Sequence, residues 1–228
     1  MSRQLFGLFD DPRVLVLTSP VSDAAIGSLS KREAAALTNV VDKRRREFST
    51  TRALAREGLE RSFDVRGFDL LNAEDRSPIW PRGIEGSIAH SDTDAWVALV
   101  DATFGTIGID GEGRDELKQD LWHLTLLDEE VAYLNTLDAS VRGRRALTLF
   151  SAKEALYKAQ YPRSGSFMSY TSLRVDLGEA GLLSCTFQEA VGPFSKGFVV
   201  HGRWLEENAL VTAVWIPTRL SFFPARRG

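Results

Sequence analysis

Four apolar runs close the chain: residues 173–177, 182–187, 197–204 and 209–216, each bounded by short segments that carry glycine, proline or asparagine. Runs of this length, rich in Leu, Val, Phe and Trp and punctuated by turn formers, are predicted to be consecutive antiparallel strands. The C-terminal end is thereby committed to a sheet, and the helices that accompany it must come from upstream.

Upstream, Val14-Leu15-Val16-Leu17 has strand character, and Ser30-Lys31-Arg32-Glu33 supplies a capping box that starts a helix. Helical sequence continues to about Phe63, with Ser49-Thr50-Thr51 its weakest point because those side chains compete for backbone hydrogen bonds, so one broken helix and two helices both remain open. The next loop, Asp75 to Gly83, holds two prolines and a glycine and is expected to be extended and turned. Residues 96–100 and 107–110 read as two strands of one hairpin joined through Asp101 to Thr106. Helices are predicted over 129–137 and 144–160, the second stopped near Pro162. Helices plus a small sheet in each half give an α+β fold, divided at 1–104 and 105–228.

At 228 residues the chain can bury a core without disulfides, and Cys185, its single cysteine, lies in an apolar strand as a core filler. The net charge of −3 argues against nucleic acid as the main partner. No window is long and apolar enough for a membrane span and no extended apolar stretch opens the chain, so cytoplasmic residence is the expectation. One local exception to the acidic balance is Lys43-Arg44-Arg45-Arg46 with Arg52, Arg56 and Arg61, which also fits a solvated helix face.

Asp110 and Glu112 are one residue apart on a predicted strand, so both carboxylates point to one face with Cα atoms roughly 7 Å apart. Gly111 between them and Gly113 beyond leave room for backbone or substrate to come close. A third carboxylate, Glu154, occurs in Phe150-Ser151-Ala152-Lys153-Glu154-Ala155-Leu156-Tyr157-Lys158, where Glu154 and Lys158 share a helix face.

Gly108-Ile109-Asp110-Gly111-Glu112 followed by Phe150-Ser151-Ala152-Lys153-Glu154 and Lys158 resembles the paired signature of the 4′-phosphopantetheinyl transferases. Lys43 to Arg56, Pro78-x-Trp80-Pro81-x-Gly83 and Gly86 to Ser91 are similar to the surfactin/enterobactin-type branch, which serves siderophore, polyketide and nonribosomal peptide synthetases. The resemblance covers roughly residues 40 to 160. It implies two similar halves about a pseudo-twofold axis, a coenzyme A cleft between them, and a complete site in a monomer. It further implies Asp110, Glu112 and Glu154 as ligands of Mg²⁺, with Mn²⁺ an alternative; oxygen-only ligation suits such a cation. Arg44, Arg52, Arg76, His90, Lys153 and Lys158 would contact the coenzyme phosphates, with Arg82 able to share the work of Arg76. Arg clamps phosphate through paired hydrogen bonds and Lys neutralises it as a point charge.

The implied reaction moves 4′-phosphopantetheine from coenzyme A to a serine of an apo acyl or peptidyl carrier protein and releases 3′,5′-ADP, with Glu154 accepting the serine proton and Lys158 stabilising phosphate charge. Leu121, Trp122 and Leu124 are candidates for the carrier surface or for core. The chain departs from the family pattern at Gly111, where a bulky apolar residue is common, at Thr51, where glycine is frequent, and at Ala89, where serine or threonine is frequent. A metal-dependent phosphodiesterase or pyrophosphatase, and a non-catalytic coenzyme A-binding module, are the competing functions.

Overall fold

The computed structural model of the chain describes residues 2–9, 11–37 and 40–218. Strands β1 (Arg3–Gln4) and β2 (Val14–Pro20) lead into helices α1 (Lys31–Ala35) and α2 (Asp42–Phe63), followed by β3 (Ile84–His90), β4 (Asp94–Asp101) and β5 (Gly105–Glu112). Three helices come next, α3 (Trp122–Thr125), α4 (Asp128–Thr136) and α5 (Ala139–Ser164), and then β6 (Leu173–Leu177), β7 (Leu182–Phe187), β8 (Val199–Glu206) and β9 (Leu210–Pro217).

The strands form two antiparallel sheets, one in the order β1-β2-β4-β3 and the other β5-β9-β8-β7-β6. The expected α+β class and the C-terminal meander are therefore present. One pattern recurs: β2-α2-β3-β4 places its last strand between the other two, and β5-α5-β8-β9 does the same.

Alternation along the strands builds a four-layer stack. Leu15, Leu17, Val97 and Leu99 face α2, where Leu54, Ala55 and Leu59 cover them. Their neighbours Val14, Val16, Trp96, Ala98 and Val100 face Ile107, Ile109, Val211 and Ala213 of the second sheet. The far side of that sheet, with Val175, Cys185, Val214 and Ile216, packs on Ala152, Ala155, Leu156 and Ala159 of α5. Residues of period two in a strand and near 3.6 in a helix are what such layers demand. Cys185 is wholly buried in this layer, as expected, and burial pushes its thiol up to about 12.

One open alternative is settled and two local expectations give way. The helical segment does not break at Ser49-Thr50-Thr51, because Ser49 and Thr51 donate to the carbonyls of Arg45 and Glu47 within the helix; α1 ends at Ala35 and α2 starts only at Asp42. β4 and β5 are not a hairpin: β4 is paired on both edges, by β2 and β3, so the chain crosses to the second sheet, where β5 pairs with β9. Pro162 does not stop α5, which runs on to Ser164 and ends at Gly165 in the left-handed conformation (φ 59°).

The capping box at Ser30 is formed, and its Glu33 does more than cap. Fully buried, it also accepts from Arg56 of α2 and from the Leu70 amide, tying α1, α2 and the following loop together.

Candidate active site

On β5 the even positions face α5. A methyl group at Gly108 would lie 1.8 Å from the Ala155 carbonyl oxygen, so the helix rests directly on the strand there. Two and four residues on, Asp110 and Glu112 emerge on the same side, as their spacing predicts. Gly111 faces the other way, and a methyl group there would come within 2.3 Å of the Trp96 ring. The space expected for backbone or substrate beside Gly111 is filled by Trp96, whose bulk replaces the side chain that Gly111 lacks.

Ser151, Glu154 and Lys158 share one stripe of α5. Ser151 donates to Asp110 Oδ2 at 2.8 Å and lies 2.8 Å from the Thr212 hydroxyl of β9. Lys158 donates to Asp110 Oδ1 at 2.8 Å and to the Ile109 carbonyl at 3.1 Å. Both residues that flank Glu154 on the stripe therefore end on Asp110, which puts Glu154 on the face of α5 that meets Asp110. Glu154 Oε1 accepts from the Tyr170 hydroxyl, which burial and this bond together hold in its neutral form.

Glu112 is pushed up to about 7, first by burial and then by the negative charges of Asp110 and Glu154, against which Lys158 and Arg144 act. The carboxylates are neighbours without being a ready-made cage: among the described residues no group of three or more His, Cys, Asp or Glu is close enough to hold a metal ion. Each instead takes its own partner, Lys158 and Ser151 for Asp110 and Tyr170 for Glu154. The donor set nevertheless fits a hard divalent cation. All its atoms are oxygen, and a bound cation would relieve the mutual repulsion that adds to burial in raising Glu112.

The expected phosphate contacts divide into two groups. At the end of β3, the Arg44 Nη1 of α2 is 2.7 Å from His90 Nε2, and His90 Nδ1 is 3.5 Å from Glu47. A guanidinium can only donate, so Nε2 accepts and the imidazole is neutral. Burial holds His90 below its ordinary value; Glu47 opposes this, and the charges of Arg44, Lys158 and Arg52 add to it. Arg44, His90 and Lys158 thus feel one another. Arg76 is exposed at φ 70° in the loop pinned by the Asn72–Pro78 bridge, and its neighbour Asp75 faces the Tyr161 hydroxyl of α5. Arg82 is exposed as well.

Arg52 and Lys153 are placed differently from what the sequence suggested. Arg52 is 2% exposed, stacked over the Phe48 ring, and bonded to the Leu70 carbonyl and to Asn72; burial lowers it to about 10, still cationic at neutral pH. It supports the 70–72 segment from below. Lys153 has a fully buried side chain and uses its three protons on Glu130 (2.6 Å), the Thr125 carbonyl (2.9 Å) and the Tyr170 carbonyl (3.1 Å). With no donor left, it does not face a coenzyme phosphate. It joins α3, α4, α5 and the turn before β6.

Beside Glu154 opens a cavity of about 310 Å³, lined by Leu124, Tyr157, Phe167, Met168 and Tyr170 among others. Phe167 is 82% exposed at its rim. Of the three candidates for a carrier surface, Leu121 and Leu124 are exposed, while Trp122 is core, its indole N–H bonded to the Leu117 carbonyl.

Sequence reasoning missed Ser151, Tyr170 and Arg144. Ser151 carried a signal, since it stands three residues before Glu154 and seven before Lys158. Tyr170 carried none, because only the turn after α5 brings it back to the helix. Arg144 donates to the carbonyls of Gly113 and Asp115, both at 2.7 Å, and so fixes the chain just past Glu112.

The family model for the 4′-phosphopantetheinyl transferase N-terminal domain matches residues 32–100, and that for the 4′-phosphopantetheinyl transferase superfamily matches residues 106–214. Among curated proteins, the chain is 30% identical to the 4′-phosphopantetheinyl transferase Npt of Nocardia iowensis over 187 residues, 76% of this chain and 83% of the relative. It is 33% identical to Svp of Streptomyces mobaraensis over 202 residues, 84% and 80% of the two chains. Against PptT of Mycobacterium tuberculosis it is 33% identical over 146 residues, 63% of each. Both relatives are likewise called 4′-phosphopantetheinyl transferases.

Proposed function

Because the chain belongs to the 4′-phosphopantetheinyl transferase family and is an enzyme of that kind, we propose that it moves 4′-phosphopantetheine from coenzyme A to a carrier serine in a Mg²⁺-dependent reaction. The observation that carries this reading is the convergence of Ser151 and Lys158, on either side of Glu154, onto Asp110. It brings a carboxylate and a cation to the helix face that carries Glu154, which supports this reading.

Asp110, Glu112 and Glu154 would hold the metal ion, which when bound neutralises charge on the diphosphate. Arg44 and His90, with Arg76 or Arg82 from the loop, bind the phosphates of the 3′-phospho-ADP half. Lys158 reaches the same anion from α5. The serine hydroxyl attacks the phosphorus that bears pantetheine, the bond to the 3′,5′-ADP oxygen breaks, and Glu154, directly or through a water, takes the serine proton. Lys158 offsets the charge left on the departing phosphate.

We assign residues 1–104 to a half that carries the phosphate-binding groups and 105–228 to a half that carries the carboxylates. Leu124 and Phe167, which line the cavity beside Glu154, and exposed Leu121 supply the apolar surface for a carrier helix. The carriers are taken to be domains of siderophore, polyketide or nonribosomal peptide synthetases. The chain is read as a cytoplasmic monomer; no described helix is long and apolar enough to cross a membrane.

The test mixes the protein with coenzyme A, Mg²⁺ and an apo carrier domain and weighs the carrier. A gain of one phosphopantetheine supports transfer. Coenzyme cleavage with an unmodified carrier overturns it in favour of hydrolysis, and binding without products in favour of a module.

A further inference from the structure

Lys153 and Glu154 are consecutive on α5 and point to different sides of it, one into the core and one into the cleft, yet both end on the same residue. Lys153 donates to the main-chain carbonyl of Tyr170 at 3.1 Å, and the Tyr170 hydroxyl donates to Glu154 Oε1. The ring between these two ends lies 5.3 Å, centroid to centroid, from that of Phe150, one turn earlier on the helix. Tyr170 is thus anchored at its backbone by a buried ion pair, steadied by an aromatic neighbour, and left with one polar group, which it spends on Glu154. Among the described residues Glu154 Oε2 takes part in no hydrogen bond.

From this geometry we infer that Tyr170 is a positioning residue for the metal site. Its hydroxyl occupies one oxygen of Glu154, fixes the carboxylate plane, and reserves the second oxygen for the cation. A carboxylate on a long side chain has several rotamers, and an outer partner that selects one of them lowers the cost of ordering the ligand when the ion arrives. Outer partners of this kind change metal affinity by about ten- to a hundredfold when removed. The Lys153–Glu130 pair enters the same device from below, since it holds the turn at Tyr170–Ser172 against α5.

This inference rests on the metal role proposed for Glu154, and the experiment separates the two. Binding of Mn²⁺ alone is measured by electron paramagnetic resonance for the intact protein, for Tyr170→Phe and for Phe150→Leu, with the melting temperature of each. Tyr170→Phe is expected to bind Mn²⁺ at least about tenfold more weakly, while Phe150→Leu, which loses the ring contact and keeps the hydroxyl, weakens binding by less. Equal affinity of Tyr170→Phe and parent within twofold overturns the role of Tyr170 alone. A parent that takes up no Mn²⁺, with or without coenzyme A, overturns the metal reading and this inference together. Should Tyr170→Phe fail to fold, a crystal structure of the parent with Mn²⁺ and coenzyme A decides: the hydroxyl remains within hydrogen-bond distance of Glu154, or the inference falls.

Discussion

The ammonium of Lys158 lies 2.8 Å from Asp110 Oδ1 and so ties the C-terminal third of α5 to the end of β5. Its side chain is 30% exposed, so one part of the charge is spent on Asp110 and another faces the cleft. Asp110→Asn keeps the shape of the site and removes the charge. It is expected to lower kcat/KM for carrier modification by at least about a hundredfold, with circular dichroism unchanged. Near-parental turnover in that variant would contradict a role for Asp110 in the chemistry.

Lys153→Met should instead act on stability. The substitution leaves Glu130 charged and buried without its partner, a defect of about 3–5 kcal/mol. Denaturant unfolding should show that loss, and coenzyme A affinity measured without divalent metal should match the parent in the protein that remains folded. A large fall in coenzyme affinity with stability intact would return Lys153 to the phosphate site.

The contrast between Lys153 and Asp110 shows what the sequence could reveal. Asp110 and Glu112 were legible because period-two alternation is local, and Glu154 with Lys158 because one helix turn is local. Whether a lysine faces solvent or core depends on what packs over it. Glu130, which takes Lys153 inward, belongs to another helix whose position is set by the whole α5 layer. Arg52 was misplaced for the same reason, since Leu70 and Asn72 close over it only after the loop folds back, beside Phe48 one turn earlier on α2. The expected hairpin of β4 and β5 failed at the level of pairing: both strands exist, but β3 already occupies the edge of β4 that β5 would have used.

Gly111 is predicted to be required by Trp96 and not by the ligand. Gly111→Val forces the Trp96 ring aside and should cost about 1–3 kcal/mol as overpacking, seen as a fall in melting temperature. In a Trp96→Leu background the same substitution should cost markedly less. Equal costs in the two backgrounds would show that the tryptophan is not what limits the position.

Arg44 and Arg52 should separate binding from folding. Arg44 is half exposed and shares His90 with Glu47, so Arg44→Ala should weaken coenzyme A binding about tenfold by calorimetry with little change in melting temperature. Arg52→Ala orphans the buried Leu70 carbonyl and frees Asn72 at the surface, and should lower the melting temperature first.

His90 gives the reaction a pH signature whose sign follows from its surroundings. Burial is the largest cause holding it below the ordinary histidine value, and the nearby cations Arg44, Lys158 and Arg52 add to the shift. Folding therefore disfavours the imidazolium; this stability is present above about pH 6.5 and is lost as pH falls toward the folded-state value. A coenzyme phosphate placed beside the ring reverses the preference, because an opposite charge favours the protonated form. Binding should then take up a proton, so coenzyme A affinity should strengthen as pH falls from the bound-state value of His90 toward its free-state value. Nuclear magnetic resonance titration of the His90 ring with and without coenzyme A checks both halves: the free ring should titrate below the ordinary value and the bound ring above the free one. A ring that titrates identically in the two states is not in contact with the phosphate.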